Sequence, residues 1–185
     1  MARILLIRHC QTTGQDHDSR LTDLGREQAV ALAAWLARRG VDRIISSPFQ
    51  RAVDSIGPFA KHAGIEVEVD ERLAERRLGG GWYATVAELR AAVRAAMDDP
   101  HLRHPDGETG VEVVARAWPA LVEALDGENA LTALVAHGQL NTHLLREIDP
   151  SFGFDAWLAM TTPDVFEVWR EESGLHMRRL GQDAP

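Results

Sequence analysis

Apolar and polar positions along the chain alternate between two periods, one of strands and one of helices. Ile4-Leu5-Leu6-Ile7 is a short continuous apolar run, the pattern of a strand buried on both faces. A polar loop follows from Arg8 to Arg20, and Thr22 then stands as a helix N-cap before Ala29, Leu32, Ala33 and Leu36 at helical spacing, with Gly40 as the stop. Val41 to Ser46 predicts a second strand. Pro48 opens a helix that runs to about His62, ahead of Gly64. Ile65 to Val69 alternates apolar and charged residues and predicts a strand with one wet face. The stretch from Arg76 to Gly110 is the least regular. It holds the glycine triplet Gly79-Gly80-Gly81 and one helix near Val86 to Met97. Val111 to Leu125 predicts a helix, Leu131 to Ala136 a fourth buried strand, Gln139 to Ile148 a short helix, and Val165 to Arg170 with Leu175 to Leu180 a hairpin around Ser173-Gly174.

Strands that alternate with helices in this order predict an α/β fold, a three-layer sandwich with a mostly parallel central sheet. The 185 residues suit one domain over 1–185, with 76–110 read as an insertion that sets substrate specificity. Hydrophobic residues make up 45% and charged residues 26% of the chain, and no apolar run reaches the roughly 18 residues of a membrane helix. The first apolar stretch is too short for a signal peptide, so a cytoplasmic protein is expected.

A net charge of −8 argues against nucleic acid and acidic membranes as partners, and the single Cys10 excludes an internal disulfide or a multi-cysteine zinc site. Lys61 is the only lysine among 20 basic residues. Codon bias can produce such a ratio; so can a need for guanidinium forks, which grip phosphate through paired hydrogen bonds.

Open parallel sheets bind ligands beyond the carboxyl ends of their strands. The first strand ends in Arg8-His9, the second in Ser46-Ser47-Pro48 with Arg51 a turn later, and the fourth in His137-Gly138, while Glu75 follows the third. Each residue alone reads as ordinary surface or capping chemistry. Together, two histidines, two arginines and a carboxylate at one end of a sheet form a set that phosphoryl transfer requires. Neutral imidazole is a good nucleophile toward phosphorus. Arginines, and a second histidine as donor, offset charge on the equatorial oxygens. A carboxylic acid protonates the leaving alkoxide and can then deprotonate water.

These motifs resemble the histidine phosphatase superfamily, the phosphoglycerate-mutase-like proteins. The resemblance rests on Leu6-Ile7-Arg8-His9-Cys10-Gln11-Thr12, Leu21-Thr22-Asp23-Leu24-Gly25 with Gln28-Ala29, Ser46-Ser47-Pro48 with Arg51-Ala52, Leu73-Ala74-Glu75, Gly107-Glu108-Thr109 and Val135-Ala136-His137-Gly138. They occur in the family's order from about Ala2 to Ile148, with Cys10 in place of the usual glycine. The resemblance implies a phosphoglycerate mutase-like fold, His9 as the nucleophile that becomes phosphorylated, and Glu75 as proton donor, with Glu71 and Glu108 as nearby alternative candidates for that role. It also implies Arg8, Arg51 and His137 around the phosphate, and Thr12 and Gln15 as further polar contacts. No cofactor and no metal are expected.

The activity this implies is a metal-independent phosphatase acting on a phosphate monoester, a small phosphorylated metabolite. A mutase that returns the phosphoryl group to another hydroxyl is the alternative, and a phosphate-binding module without turnover a third. Only about thirty residues separate Glu75 from Glu108, and that modest cover favours hydrolysis over a mutase, which must exclude water. Rival chemistries lack their residues. Asp16 stands where a cysteine phosphatase built on Cys10 needs its arginine, and no Gly-Lys pair exists for a P-loop. Arg76, Arg77, Arg90, Arg94 and Arg103 are candidate anion contacts in the insertion, and Trp82 and Tyr83 are expected to border the site.

Overall fold

The computed structural model describes residues 2–81 and 83–180. A six-stranded sheet runs through its centre in the order β3-β2-β4-β1-β5-β6. Strands β1 (Arg3–Arg8), β2 (Arg43–Ser46), β3 (Val67–Val69) and β4 (Leu131–Ala136) are mutually parallel, and β5 (Asp164–Glu171) and β6 (Gly174–Arg179) add an antiparallel edge. The expected three-layer α/β architecture is therefore present, with the hairpin at the sheet's β1 side.

The alternation of side chains along β1 divides the core. Leu5 and Ile7 face helices α1 (Asp23–Leu36) and α2 (Gln50–Ala63), packing with Leu32, Leu36, Ile56 and Phe59. Ile4 and Leu6 face α4 (Gly110–Asp126) and α5 (Gly138–Arg146), packing with Val113, Leu121, Leu140 and Leu144. A smaller cluster joins α3 (Val86–Asp98) to α6 (Phe154–Leu158) through Val93, Met97 and Phe154.

Local signals explain the boundaries. Thr22 caps α1 by accepting the Gly25 N–H at 2.9 Å. Gly64 ends α2 in the left-handed region, at φ 68°. Thr85 and Thr109 close capping boxes with Glu88 and Glu112 at the starts of α3 and α4. The second helix begins at Gln50 rather than Pro48, and the third strand spans three residues where alternation predicted five, because Ile65 and Glu66 lie outside the ladder. The short helix α6 carries no periodic signal, since five residues hold little more than one turn. No helix among the described residues is long and apolar enough to cross a membrane.

Candidate active site

Three parallel strands deliver the site. β4 lies between β2 and β1, and the ladder carries past the strand ends: the His9 N–H donates to Ala136 carbonyl at 3.0 Å and the Ser47 N–H to Val135 carbonyl at 2.9 Å. His9, Ser47 and His137 therefore leave the sheet side by side. The imidazoles of His9 and His137 meet edge to face with centroids 5.2 Å apart.

His9 is 5% exposed. Its Nδ1 lies 2.7 Å from the Cys10 carbonyl oxygen, which can only accept, so Nδ1 carries the proton and Nε2 the lone pair. Burial pushes the His9 pKa down to about 3; Arg51 and Arg8 push the same way, and the bond to the Cys10 carbonyl opposes them. The ring is thus neutral, and its Nε2 lone pair accepts the Nε–H of Arg51 at 3.2 Å.

Arg51 comes from the first turn of α2 and is fully buried. Its Nη1 donates to the carbonyls of Gln15 at 3.0 Å and Asp16 at 2.9 Å, a collar supplied by the loop after β1. That loop is folded back by Thr13 N–H to Arg20 carbonyl and Thr22 N–H to Gln11 carbonyl. Nη2 of Arg51 has no partner within the protein. Arg8 is held differently: Nη1 donates to the Met160 carbonyl at 3.0 Å, and Nε is buried without a partner. His137 lies at the start of α5, fully buried, with Nε2 2.7 Å from the Ser47 hydroxyl. The Ser47 oxygen also accepts the Phe49 N–H, and Nδ1 of His137 is buried with no partner among the described residues. Burial, reinforced by His9 and Arg51, lowers the His137 pKa well below the usual histidine value. Arg8 Nε, Arg51 Nη2 and His137 Nδ1 are thus buried with no hydrogen-bond partner among the described residues, on three side chains that neighbour the His9 ring.

Glu75 follows the single turn Glu71–Leu73. Its carboxylate accepts N–H groups from Arg76 at 2.9 Å, Leu140 at 3.0 Å and Gln139 at 3.3 Å, so it rests on the N-terminal turn of α5. Both Arg8 and Arg51 feel its charge. Glu108 lies elsewhere, paired with Arg116 at 2.9 Å. Gly138 is closely packed: a Cβ there would stand 3.1 Å from Trp157 Nε1 and 3.2 Å from Arg8 Cζ, so those side chains would have to give by a few tenths of an ångström.

The structure brings together Arg8, His9, Arg51, Glu75 and His137. It gives Thr12 and Gln15 other surroundings. The Thr12 hydroxyl lies 3.1 and 3.0 Å from the Gly14 and Arg20 carbonyls within its own loop, and Gln15 is exposed, serving Arg51 through its main chain. Of the insertion arginines, Arg94 pairs with Asp155 and Arg103 with Glu112, Arg77 donates to the Asp106 carbonyl, and Arg76 is buried. Tyr83 donates to the Gly79 carbonyl at 2.6 Å, and Trp82 lies outside the described residues. One contributor carried no signal in the sequence: the Met160 carbonyl, which follows the short helix α6.

This six-stranded, mostly parallel sheet, with two histidines and two arginines at its carboxyl end, is the α/β fold of the phosphoglycerate mutase-like proteins. The chain belongs to the histidine phosphatase superfamily (branch 1), whose family model matches residues 4–180, and it is a phosphatase of that family, a phosphoric monoester hydrolase. Glucosyl-3-phosphoglycerate phosphatase of Mycolicibacterium vanbaalenii is 36% identical over 158 residues, covering 75% of this chain and 70% of that protein. The Mycobacterium tuberculosis protein of the same name is 34% identical over 159 residues, covering 75% and 71%. A solved structure of mycobacterial glucosyl-3-phosphoglycerate phosphatase with inorganic phosphate superposes with a TM-score of 0.78 at 30% identity, over 97% of this chain and 95% of that one.

Proposed function

We propose that the chain hydrolyses a phosphate monoester of a small metabolite in two steps through a phosphohistidine on His9. In the first step Nε2 of His9 attacks phosphorus, and the ester oxygen departs with a proton from Glu75. In the second, Glu75 takes a proton from water, whose oxygen attacks the phosphohistidine and releases inorganic phosphate and neutral His9. The observation that carries this reading is that Arg8 Nε, Arg51 Nη2 and His137 Nδ1 are buried without partners on the side chains that neighbour His9, whose Nε2 bears a lone pair. Arg8, Arg51 and His137 would bind the equatorial oxygens, which lets the site offset phosphate charge without a metal. Thr12 and Gln15 would act through the loop that collars Arg51, and residues 76–110 would set specificity.

A phosphorylated sugar acid is the substrate to test first, since both mycobacterial relatives are named for glucosyl-3-phosphoglycerate. A cytoplasmic site of action goes with this reading, because phosphorylated metabolites are made and held there.

The test incubates the protein with p-nitrophenyl phosphate, 3-phosphoglycerate and glucosyl-3-phosphoglycerate, following free phosphate and isomerised product. Phosphate release that is lost in a folded His9→Ala variant, with acid-labile phosphate trapped on the wild-type protein, is expected. EDTA should leave the rate unchanged. Near-normal turnover by His9→Ala would overturn the mechanism, and isomerisation without phosphate release would make the chain a mutase.

A further inference from the structure

Arg76 adjoins Glu75 in the chain, is 3% exposed, and has no carboxylate at ion-pair distance among the described residues. Its guanidinium is spent on three separate segments. Nε and Nη2 donate to the Glu108 carbonyl at 3.2 and 2.9 Å. Nη1 reaches the Ala96 carbonyl at 3.3 Å and Nε2 of His143 at 3.2 Å. His143 is itself 4% exposed, and its ring packs so closely on the start of α4 that a Cβ at Gly110 would lie 2.8 Å from Cε1. Nε2 accepts from Arg76, so the His143 ring is neutral, in keeping with a pKa that burial, then Arg76, pushes to about 3.

A buried cation without a counter-ion is a costly way to fill space, and an apolar residue of similar size would pack at less expense. The fork provides something packing cannot: fixed directions from one residue to several acceptors. Those directions close a ring of bonds. The Glu75 carboxylate accepts from Gln139 and Leu140 at the start of α5; His143 lies one turn further along the same helix; His143 accepts from Arg76; and Arg76 is covalently joined to Glu75. The carboxyl group is thus held at both ends, by the helix and by the backbone that bears it.

We propose that Arg76, latched to His143, is a positioning residue that sets the Glu75 carboxyl for proton transfer to the leaving group. The proposal rests on the assignment of Glu75 as the acid. Arg76 and His143 are both buried, and the guanidinium of Arg76 is bonded to protein acceptors. Their effect is on where one proton donor stands, and it should scale with how much the leaving group needs that proton.

The experiment measures kcat/KM, which covers the steps through leaving-group departure, for p-nitrophenyl phosphate and phenyl phosphate in the same protein. The nitrophenolate leaves readily without a proton, whereas phenolate needs one. Arg76→Lys keeps the charge but loses the fork, His143→Leu loses the acceptor, and His143→Gln keeps an acceptor at the same distance along the side chain. Arg76→Lys and His143→Leu should lower phenyl phosphate hydrolysis by roughly 30-fold while p-nitrophenyl phosphate changes by less than about 3-fold. His143→Gln should recover most of the difference. Glu75→Gln is the control. If it fails to separate the two substrates, the acid assignment itself is wrong. If it separates them but Arg76→Lys and His143→Leu lower both equally, or neither, the two residues are structural only and the proposal falls. Thermal unfolding of each variant identifies a misfolded one, and Arg76→Lys carries the test alone if His143→Leu does not fold.

Discussion

Replacing Gly25 with alanine should damage both stability and catalysis, although a helical Gly→Ala change ordinarily helps. Gly25 lies in the first turn of α1, against the loop that follows His9. A Cβ there would stand 2.0 Å from the Gln11 carbonyl oxygen, 3.0 Å from its carbon and 3.2 Å from Leu21 Cβ. Ordinary contact begins near 3.4 Å, so the oxygen must withdraw by about 1.4 Å. That carbonyl accepts the Thr22 N–H at 3.1 Å, the Gln11 N–H is held by Gln28 at 2.8 Å, and the Thr22 hydroxyl that caps α1 also donates to Gln11 Oε1 at 2.7 Å. The loop therefore cannot retreat without breaking the cap.

Overpacking of this kind costs about 1–3 kcal/mol, and loss of a helix cap adds about 1 kcal/mol. Cys10, one residue before Gln11, supplies the carbonyl that fixes the His9 tautomer, so the displacement reaches the nucleophile. Misplacing a reacting group by about 1 Å can cost 10²-fold, and a partly transmitted shift should lower kcat/KM by roughly 10-fold or more. Urea titration and kcat/KM on p-nitrophenyl phosphate compare the variant with the unaltered protein. A Gly25→Ala protein as stable and active as the unaltered one would refute the reasoning.

Arg51→Lys keeps the charge but loses both the Nε contact to His9 and the geometry of the carbonyl collar, so kcat/KM should fall by about 10²–10³-fold while the fold persists; a loss below about 5-fold would show that charge alone suffices. Stability should decline with acid in a stated window. His9 and His143 are held near pKa 3 when folded, and His137 well below its ordinary value, so the unfolded chain binds protons that the folded chain refuses as pH drops below about 6.5. Each histidine then removes about 1.4 kcal/mol per pH unit, and the acid slope of stability below about pH 6.5, measured by urea titration, should fall by roughly a third in His143→Leu. An unchanged slope in that variant would mean that His143 titrates normally in the fold.

The residues of the site were legible where a strand end announced them. Arg8-His9, Ser47 and His137 each follow an apolar run, and the ladder places such positions side by side whatever the intervening sequence. Arg51 was legible from its helix start. Their holders were not. Arg8 is oriented by the Met160 carbonyl and Arg51 by those of Gln15 and Asp16, and a carbonyl is the same group in every residue, so nothing in the sequence marks it. Gln15 shows the consequence: its side chain invites a reading as a phosphate contact, while its main chain is the part that meets the site's arginine. Helix α6 escaped notice because a single turn has no period to detect, yet it brings Trp157 against Gly138 and leads directly into Met160.

The excess of arginine becomes intelligible once each guanidinium is sorted by its partner. Arg3, Arg43, Arg72, Arg116, Arg170 and Arg179 each meet a carboxylate, at distances between 2.6 and 2.9 Å, and their charge is neutralised where they stand. Arg8 and Arg51 meet carbonyls. A carbonyl fixes the direction of a guanidinium without cancelling its charge, and burial lowers the pKa of both arginines, the sign of a cation held where water does not solvate it fully. A carboxylate partner would have been cheaper for the fold, but it would have competed with phosphate for the same N–H groups. Glu75 lies close enough for both arginines to feel it, yet its hydrogen bonds go to the amides at the head of α5. The amides hold the Glu75 carboxylate in hydrogen bonds of their own, and positive charge remains beside the lone pair of His9. In the proposed mechanism that separation lets a single pocket hold an acid and an anion-binding site together.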